Sequence, residues 1–177
     1  THLISVGDGF VGRNMAKLLY KNTTDLIIFI DNLSVRKHPS VWWDLTLKKT
    51  VDILEIYGED ERLIFIKEDF RVTLNKLVHT SGYINKDLGL DIEKFTDVHH
   101  FAAIVGGRAM IDGDPIQVAL DLSIDAEFFF WVRRHKPQRV LYPSSSAAYP
   151  VSLQTQDNTI QLQESAIDFN NIGQPDI

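Results

Sequence analysis

The 177-residue sequence contains no cysteine, which excludes a disulfide framework, a cysteine-ligated zinc and a thiol nucleophile. It has no long hydrophobic run, because its longest apolar stretches, residues 26–30 and 128–132, fall far short of the ~20 residues of a membrane helix. It has no excess of positive charge either: 18 basic residues against 24 acidic ones give a net charge of −6. This balance argues against a nucleic-acid partner.

The first residues show no basic stretch followed by a long apolar one. We therefore expect no signal peptide, no membrane contact and a cytoplasmic location. The histidines are scattered, and His99 and His100 are neighbours on a predicted strand, so they face opposite sides. No metal site is predicted.

Hydrophobic residues make up 44% of the chain and charged residues 24%, which is typical of a soluble globular protein. Short β-rich runs alternate with longer helical patterns, and this order favours βαβ units around a parallel sheet. The prediction is an α/β doubly wound parallel sheet. Strands are predicted at residues 3–6, 26–30, 63–66, 97–101 and 139–142, helices after Gly12 and at 41–57, 71–79 and 115–135, and a loop at 80–90.

Three glycines, Gly7, Gly9 and Gly12, have G-x-G-x-x-G spacing between the first predicted strand and a helix. In such a turn the first glycine permits the tight bend, the second lets backbone approach a pyrophosphate, and the third lets helix pack on strand. The free N–H groups of the helix N-terminus then attract the phosphates. With this turn, the predicted sheet is a Rossmann-type dinucleotide-binding fold.

Asp31 ends the second predicted strand, roughly 20 residues after Gly12, as a dinucleotide site requires. Its carboxylate is suited to accept hydrogen bonds from both ribose hydroxyls and to repel a 2′-phosphate, which favours NAD over NADP. Arg36, Lys37 and His38 follow closely and weaken that preference. Two alternatives stay open: an adenosyl-methionine site, which also uses a glycine turn and an acidic residue, and a glycine turn with a structural role alone.

Five segments carry a family resemblance in the order of the chain: residues 7–12 (GDGFVG), 31–34 (DNLS), 69–71 (DFR), 100–103 (HFAA) and 144–149 (SSSAAY). Over residues 3 to about 150 the sequence resembles the extended short-chain dehydrogenase/reductase family, the NAD-dependent nucleotide-sugar epimerases and dehydratases. The resemblance implies a cofactor domain over residues 1–177, in which residues 150–177 begin the catalytic loop region. We expect the family's C-terminal substrate domain to be absent from these residues.

The resemblance also implies roles for individual residues. At the end of the last predicted strand, Ser145 would be the catalytic serine and Ser146 would bind substrate. Arg108 follows the fourth predicted strand, where it would flank cofactor or substrate phosphates or be a solvated charge. A homodimer through the long apolar helix is implied as well. The cofactor-binding set implied by the resemblance is Gly7, Gly9, Phe10, Val11, Gly12, Asp31, Asn32, Ser34, Asp69, Phe70, Phe101, Ala102, Ala103, Asp121, Pro143 and Ser144.

The sequence departs from the family pattern at several positions. Val6 replaces the first glycine of the usual turn, Asp121 replaces an asparagine, Pro150 replaces a glycine, and residues 80–90 look like an addition. The family's catalytic Tyr-x-x-x-Lys is absent, since no tyrosine here has a lysine four residues later. The resemblance implies transient hydride transfer from a sugar carbon to the nicotinamide, but we expect no turnover from these residues alone. A non-catalytic NAD(P)-binding, redox-sensing protein and, more remotely, an adenosyl-methionine methyltransferase are the alternatives.

Overall fold

The structure is a computed structural model that describes residues 1–92, 94–104, 113–145, 148–153 and 160–167. The chain divides into two compact units, Thr1–Tyr142 and Pro143–Ile177. Among the described residues no helix has both the length and the apolar character to cross a membrane.

The described part of the first unit contains one seven-stranded sheet in the order β3-β4-β5-β2-β1-β6-β7. Strands β5, β2, β1, β6 and β7 run parallel, whereas β3, β4 and β5 pair in antiparallel fashion. This arrangement confirms the predicted α/β doubly wound sheet. The strands are β1 (His2–Ser5), β2 (Ile27–Asp31), β3 (Leu47–Val51), β4 (Leu54–Tyr57), β5 (Leu63–Lys67), β6 (Asp97–His100) and β7 (Arg139–Leu141).

Strand β1 lies at the point where the strand order reverses, because the chain continues to β2 on one side and reaches β6 on the other. In open α/β sheets, ligands bind outside the carboxyl ends of the strands at such a point. The end of β1, at Ser5, is therefore the place where the fold itself predicts a site.

Three helices surround the sheet in the described residues: α1 (Phe10–Asn22), α2 (Phe70–His79) and α3 (Pro115–His135). Helix α3 begins where the sequence indicates, because Asp114 accepts a hydrogen bond from the backbone N–H of Ile116 and Pro115 occupies the first turn. Phe128 and Trp131 of α3 are fully buried in the core that also contains α2. Every residue of β2 is buried, as expected for a strand covered on both faces.

The predicted helix over residues 41–57 is wrong. The structure has a 3₁₀ turn at Pro39–Val41 followed by the β3–β4 hairpin. The apolar residues there satisfy a helical spacing, but Leu54–Tyr57 also finds a ladder partner in the edge of β5, and β-branched residues favour strands. Trp42 and Trp43 pack near Phe29, with ring centroids 6.2 and 6.4 Å from it, on the face where a crossover helix was expected.

The segment 80–90, predicted as loop, contains a short π-helix, Tyr83–Asp87. Gly82 precedes it with φ of +75°, a conformation that glycine adopts without strain. Tyr83 and Ile84 are buried against the core, so burial of two large side chains orders a segment whose local sequence is typical of a loop.

The second unit contains short 3₁₀ turns at Val151–Leu153 and Glu164–Ala166 within its described residues. The backbone N–H of Ala148 donates a hydrogen bond to the carbonyl oxygen of Ser145, 3.1 Å away.

Candidate functional site

The turn between β1 and α1 is built by close backbone approach. A Cβ atom on Gly12 would lie 2.4 Å from the carbonyl oxygen of Val6 and 2.9 Å from Cα of Gly7. The N–H of Gly7 donates to the carbonyl of Ile30, 3.1 Å away, which joins the turn to the end of β2. These distances leave no room for a side chain at Gly12, the residue expected to let helix and strand pack.

The N-terminus of α1 has no side-chain cap among the described residues. Its N-cap is Gly9, which has no side chain to cap the first N–H groups. Phe10 and Val11, in the first turn, are 71% and 53% exposed. Free N–H groups at a helix N-terminus attract phosphate, so this end of α1 fits a pyrophosphate.

Val6 has φ of +52°, in the left-handed region that disfavours β-branched residues. This is the position where the family usually has glycine. The turn therefore keeps the backbone shape expected of a glycine while holding a valine, and the backbone at Val6 is strained.

The carboxylate of Asp31 is fixed by two backbone donors. Its Oδ2 accepts the N–H of Asp8, 3.2 Å away, and its Oδ1 accepts the N–H of Leu33 at 2.8 Å. Burial raises the pKa of Asp31, while these two N–H groups act to lower it. Each carboxylate oxygen has a further lone pair, so Asp31 remains able to accept hydrogen bonds from two ribose hydroxyls.

A cavity of about 480 Å³, which we call the cofactor cavity, lies at the carboxyl ends of the parallel strands. Its volume is within the range of about 300–1,000 Å³ typical of ligand sites. It brings together seven residues of the predicted cofactor set: Asp31, Asn32, Ser34, Asp69, Phe70, Ala102 and Ala103.

Asp69 caps helix α2 and also lines the cofactor cavity. Its carboxylate accepts the backbone N–H of Arg71 at 2.9 Å and pairs with the Arg71 guanidinium at 3.3 Å. Burial acts to raise the pKa of Asp69, but the hydrogen bonds and charge of Arg71 outweigh it and hold that pKa below its ordinary value. Asp69 is thus an anion at the adenine end of the predicted site.

The segment after β6 is held by one buried hydroxyl. Ser5 Oγ accepts the N–H groups of Phe101 and Ala102, at 2.8 and 2.9 Å, and lies 3.1 Å from Nδ1 of His100. Since its two lone pairs are used, Ser5 donates its proton to His100, whose Nε2–H then donates to Asp125, 3.2 Å away. Burial lowers the pKa of His100, although Asp125 acts to raise it. The lowered pKa keeps the imidazole neutral.

Asp121 accepts the backbone N–H of Ile104 at 2.7 Å. It fixes the segment that follows the two cavity-lining alanines, and its contact with a cofactor stays a prediction.

Sequence reasoning missed several residues of the cavity wall. Arg71 follows the predicted Asp69-Phe70 pair, and three residues of α3 contribute one face of that helix. Their i, i+3, i+7 spacing is the signal that marks such a face. These three are Gln117, Leu120 and Ile124.

Other predicted residues belong to the second unit or to segments outside the described residues. Pro143, Ser144 and the predicted catalytic Ser145 belong to the second unit, where they are exposed. The predicted substrate residues Ser146 and Arg108 lie outside the described residues. In the part of the chain that the structure describes, no group of three or more histidine, aspartate or glutamate side chains is arranged to hold a metal ion.

The fold of this chain is similar to those of several solved structures. A UDP-N-acetylglucosamine 4-epimerase from Methanobrevibacter ruminantium M1 has 21% identity and a TM-score of 0.59 over 93% of this chain. A UDP-glucose 4-epimerase from Brucella ovis, in complex with NAD, has 24% identity and a TM-score of 0.56 over 84%. A dTDP-glucose 4,6-dehydratase double mutant from Streptomyces venezuelae, with NAD bound, has 18% identity and a TM-score of 0.57 over 84%.

The chain spans only 42%, 36% and 40% of these three chains, respectively. No curated protein matches it in sequence. The model of the family described as "NAD dependent epimerase/dehydratase family" matches residues 3–168, nearly the whole sequence. The chain therefore belongs to the NAD dependent epimerase/dehydratase family.

Proposed function

We propose that the protein binds NAD and provides the cofactor domain of a nucleotide-sugar epimerase or dehydratase. The observation that carries this proposal is the carboxylate of Asp31, held by the N–H of Asp8 from the glycine turn at the wall of the cofactor cavity. This hydrogen bond places a ribose-binding acid at the end of β2 beside the glycine turn that leads into a pyrophosphate-binding helix N-terminus.

The glycine turn and the residues that line the cofactor cavity have distinct roles in this proposal. The free N–H groups at the start of α1 hold the pyrophosphate, Asp31 and Asn32 hold the adenosine ribose, and Asp69 with Phe70 contacts adenine. The Ser5–His100 pair holds the backbone of Phe101 and Ala102 along the cofactor. When bound, NAD supplies a hydride acceptor.

The catalytic part of the proposal rests on Ser145. Its hydroxyl would hydrogen-bond the reacting sugar oxygen and stabilise the charge that develops there. A general base must have a pKa near the working pH, and a tyrosine reaches that range only when a cation such as lysine lowers its pKa from about 10. The sequence has no tyrosine with a lysine four residues later, so we propose that residues 1–177 alone bind cofactor without turnover.

A nucleotide-sugar substrate, a cytoplasmic location and a homodimer belong to the same proposal. Phe129 and Phe130 of α3 are 46% and 49% exposed, which fits a helix that packs on a second copy. Sedimentation of the protein and of a Phe129→Asp, Phe130→Asp variant tests the dimer. A monomer in the unsubstituted protein at micromolar concentration would contradict it.

The test of cofactor binding is a calorimetric titration with NAD⁺, with NADP⁺ and adenosyl-methionine as competing candidates. We expect saturable NAD⁺ binding that Asp31→Ala weakens about tenfold or more, since hydrogen bonds to a charged group contribute about 1.5–3 kcal/mol. Asp44→Ala, the same change at an exposed aspartate, is the matched control and should bind like the original.

The two other classes predict different titrations. A methyltransferase would bind adenosyl-methionine and ignore NAD⁺. A redox sensor would bind NAD(P) like the enzyme, and would differ from it by having no Tyr-x-x-x-Lys in the complete gene product. A folded protein that binds none of the three ligands would contradict the proposal.

A further inference from the structure

A second cavity, which we call the side cavity, adjoins the ribose end of the cofactor cavity. Its volume is about 390 Å³, and it shares Val35 and Arg36 with the cofactor cavity. Asp8 of the glycine turn lines it, together with the cations Arg13 and Lys37. A group attached to the ribose beside Asp31 would therefore extend towards a cavity lined by side chains of both charges.

Asp8 is the unusual member of this wall. Only 2% of the residue is exposed, and neither carboxylate oxygen has a hydrogen-bond partner among the described residues. Its backbone N–H, by contrast, is bonded to Asp31. A buried charge without partners is costly and weakly screened by water. Its effect on a nearby anion is correspondingly large.

Three cations of the side cavity, Arg13, Arg36 and Lys37, attract a phosphate. By themselves they favour a cofactor with a phosphate on the adenosine ribose, whereas Asp31 disfavours it. Resting on the proposed function, we propose that Asp8 is a specificity-determining residue, a second carboxylate that selects against a phosphate on the ribose and so for NAD over NADP.

The charge of Asp8 changes close to neutral pH. Burial raises the pKa of Asp8 to about 7, and the charges of Asp31 and Glu55 act in the same direction. Arg13 and the indole of Trp42 act to lower it, although Nε1 of Trp42 also lacks a hydrogen-bond partner among the described residues.

The other titratable groups around Asp8 are themselves engaged. Tyr57 of β4 has its pKa raised by burial, by the adjacent Glu55 to which it donates a hydrogen bond, and by Asp8. Glu55 also pairs with His38 at 3.1 Å. Asp8 is therefore the carboxylate whose protonation changes the negative charge of the side cavity between pH 6 and 8. Discrimination against the ribose phosphate is expected to grow over that interval.

The test measures the ratio of the dissociation constants for NADP⁺ and NAD⁺ by calorimetry at pH 6 and pH 8. The variant is Asp8→Asn, which preserves the shape of the side chain and the backbone N–H to Asp31. Asp44→Asn is the control for the same change at an exposed site. The ribose phosphate of NADP⁺ has its own pKa near 6 and titrates in the presence of either protein. Asp8→Asn is therefore the reference, because it lacks only the titration of Asp8.

At pH 8 we expect the NADP⁺/NAD⁺ ratio to fall about tenfold in Asp8→Asn, the size of effect that a unit charge has on a dianion several ångströms away. At pH 6 we expect the two proteins to differ by less than about threefold. A ratio that Asp8→Asn leaves unchanged at pH 8, while NAD⁺ still binds, would overturn the role of Asp8 and leave the proposed function standing. Failure of the folded, unsubstituted protein to bind NAD⁺ would overturn both.

Discussion

The backbone N–H of Asp8 lies 3.2 Å from Oδ2 of Asp31 and donates a hydrogen bond to it. This bond joins the glycine turn to the end of β2 across 23 residues of sequence. The turn that would hold the pyrophosphate and the acid that would hold the ribose are thus parts of one structure. The side chain of Asp8 is buried, and neither of its carboxylate oxygens has a hydrogen-bond partner in the part of the chain that the structure describes.

The buried carboxyl of Asp8 should make the protein less stable as the pH rises. Its pKa is raised from 3.8 to about 7 in the folded state, so between these values the folded protein binds the proton that the unfolded protein has lost. The free energy of unfolding therefore falls from about pH 4 to pH 7. In Asp8→Asn this component is absent, and we expect the variant to gain on the order of a few kcal/mol relative to the original between pH 4 and pH 8.

Urea denaturation at several pH values measures this difference. Comparing the change between two pH values cancels the pH-independent difference between an acid and an amide. Parallel stability curves for the two proteins would show that Asp8 titrates normally in the folded state.

A methyl group at Gly12 should disrupt the glycine turn. Its Cβ would lie 2.4 Å from the Val6 carbonyl oxygen, which is backbone and cannot rotate away. We expect Gly12→Ala to lower the free energy of unfolding by about 2 kcal/mol or more and to abolish NAD⁺ binding. Gly113→Ala is the control, because a Cβ there meets no atom of the described residues within 4 Å. Equal stability of the two variants, measured by thermal unfolding, would contradict the turn geometry.

At Val6, glycine should stabilise the protein more than alanine, which is the reverse of the usual order. Alanine is normally more stabilising than glycine by roughly 0.5–1 kcal/mol within regular structure. At φ of +52°, the Cβ of alanine still lies too close to the following carbonyl oxygen, whereas glycine has no Cβ. This contact costs roughly 1–2 kcal/mol. We expect Val6→Gly to be more stable than Val6→Ala in urea. The normal order would mean that Val6 does not hold a left-handed conformation in solution.

Acidification should weaken the protein through His100. Burial lowers its folded-state pKa below the ordinary value of 6.5, so the unfolded state takes up a proton that the folded state does not. Stability is complete above about pH 6.5 and declines as the pH falls through that value. We expect His100→Gln to show a shallower decline in melting temperature between pH 7 and pH 5. His79→Gln, at an exposed histidine, should behave like the original; an identical decline in all three would contradict the prediction.

The parts of the fold that the sequence predicts are those with a strong local signal. The β2 strand is a continuous apolar run, and the bounds of Pro115–His135 follow from a proline in the first turn and an aspartate cap before it. Residues 41–57 carry a weaker signal, since their apolar positions fit a helix and a strand equally. The free edge of β5, a tertiary feature, decides in favour of the hairpin.

The site shows the same division. Strand ends are visible in sequence, so Asp31, Asp69 and Ala102 are predicted and lie together on one cavity. Gln117 lines that cavity because α3 packs over the end of β6, and nothing local to Gln117 marks this position. The burial of the Asp8 carboxyl likewise has no local signal in the sequence, because it depends on tertiary neighbours such as Trp42, which lines the same side cavity.

Ser5 holds the amide protons of Phe101 and Ala102, which lie past the last residue of β6 and outside its strand ladder. Their acceptor is a side chain that is 1% exposed, at the centre of the sheet. Hydrogen exchange at these two loop amides therefore requires separation of β1 from β6, an opening close to that of the whole unit. The segment that would lie along the cofactor therefore has the backbone geometry of a loop, but its amides are expected to exchange as slowly as those of the core.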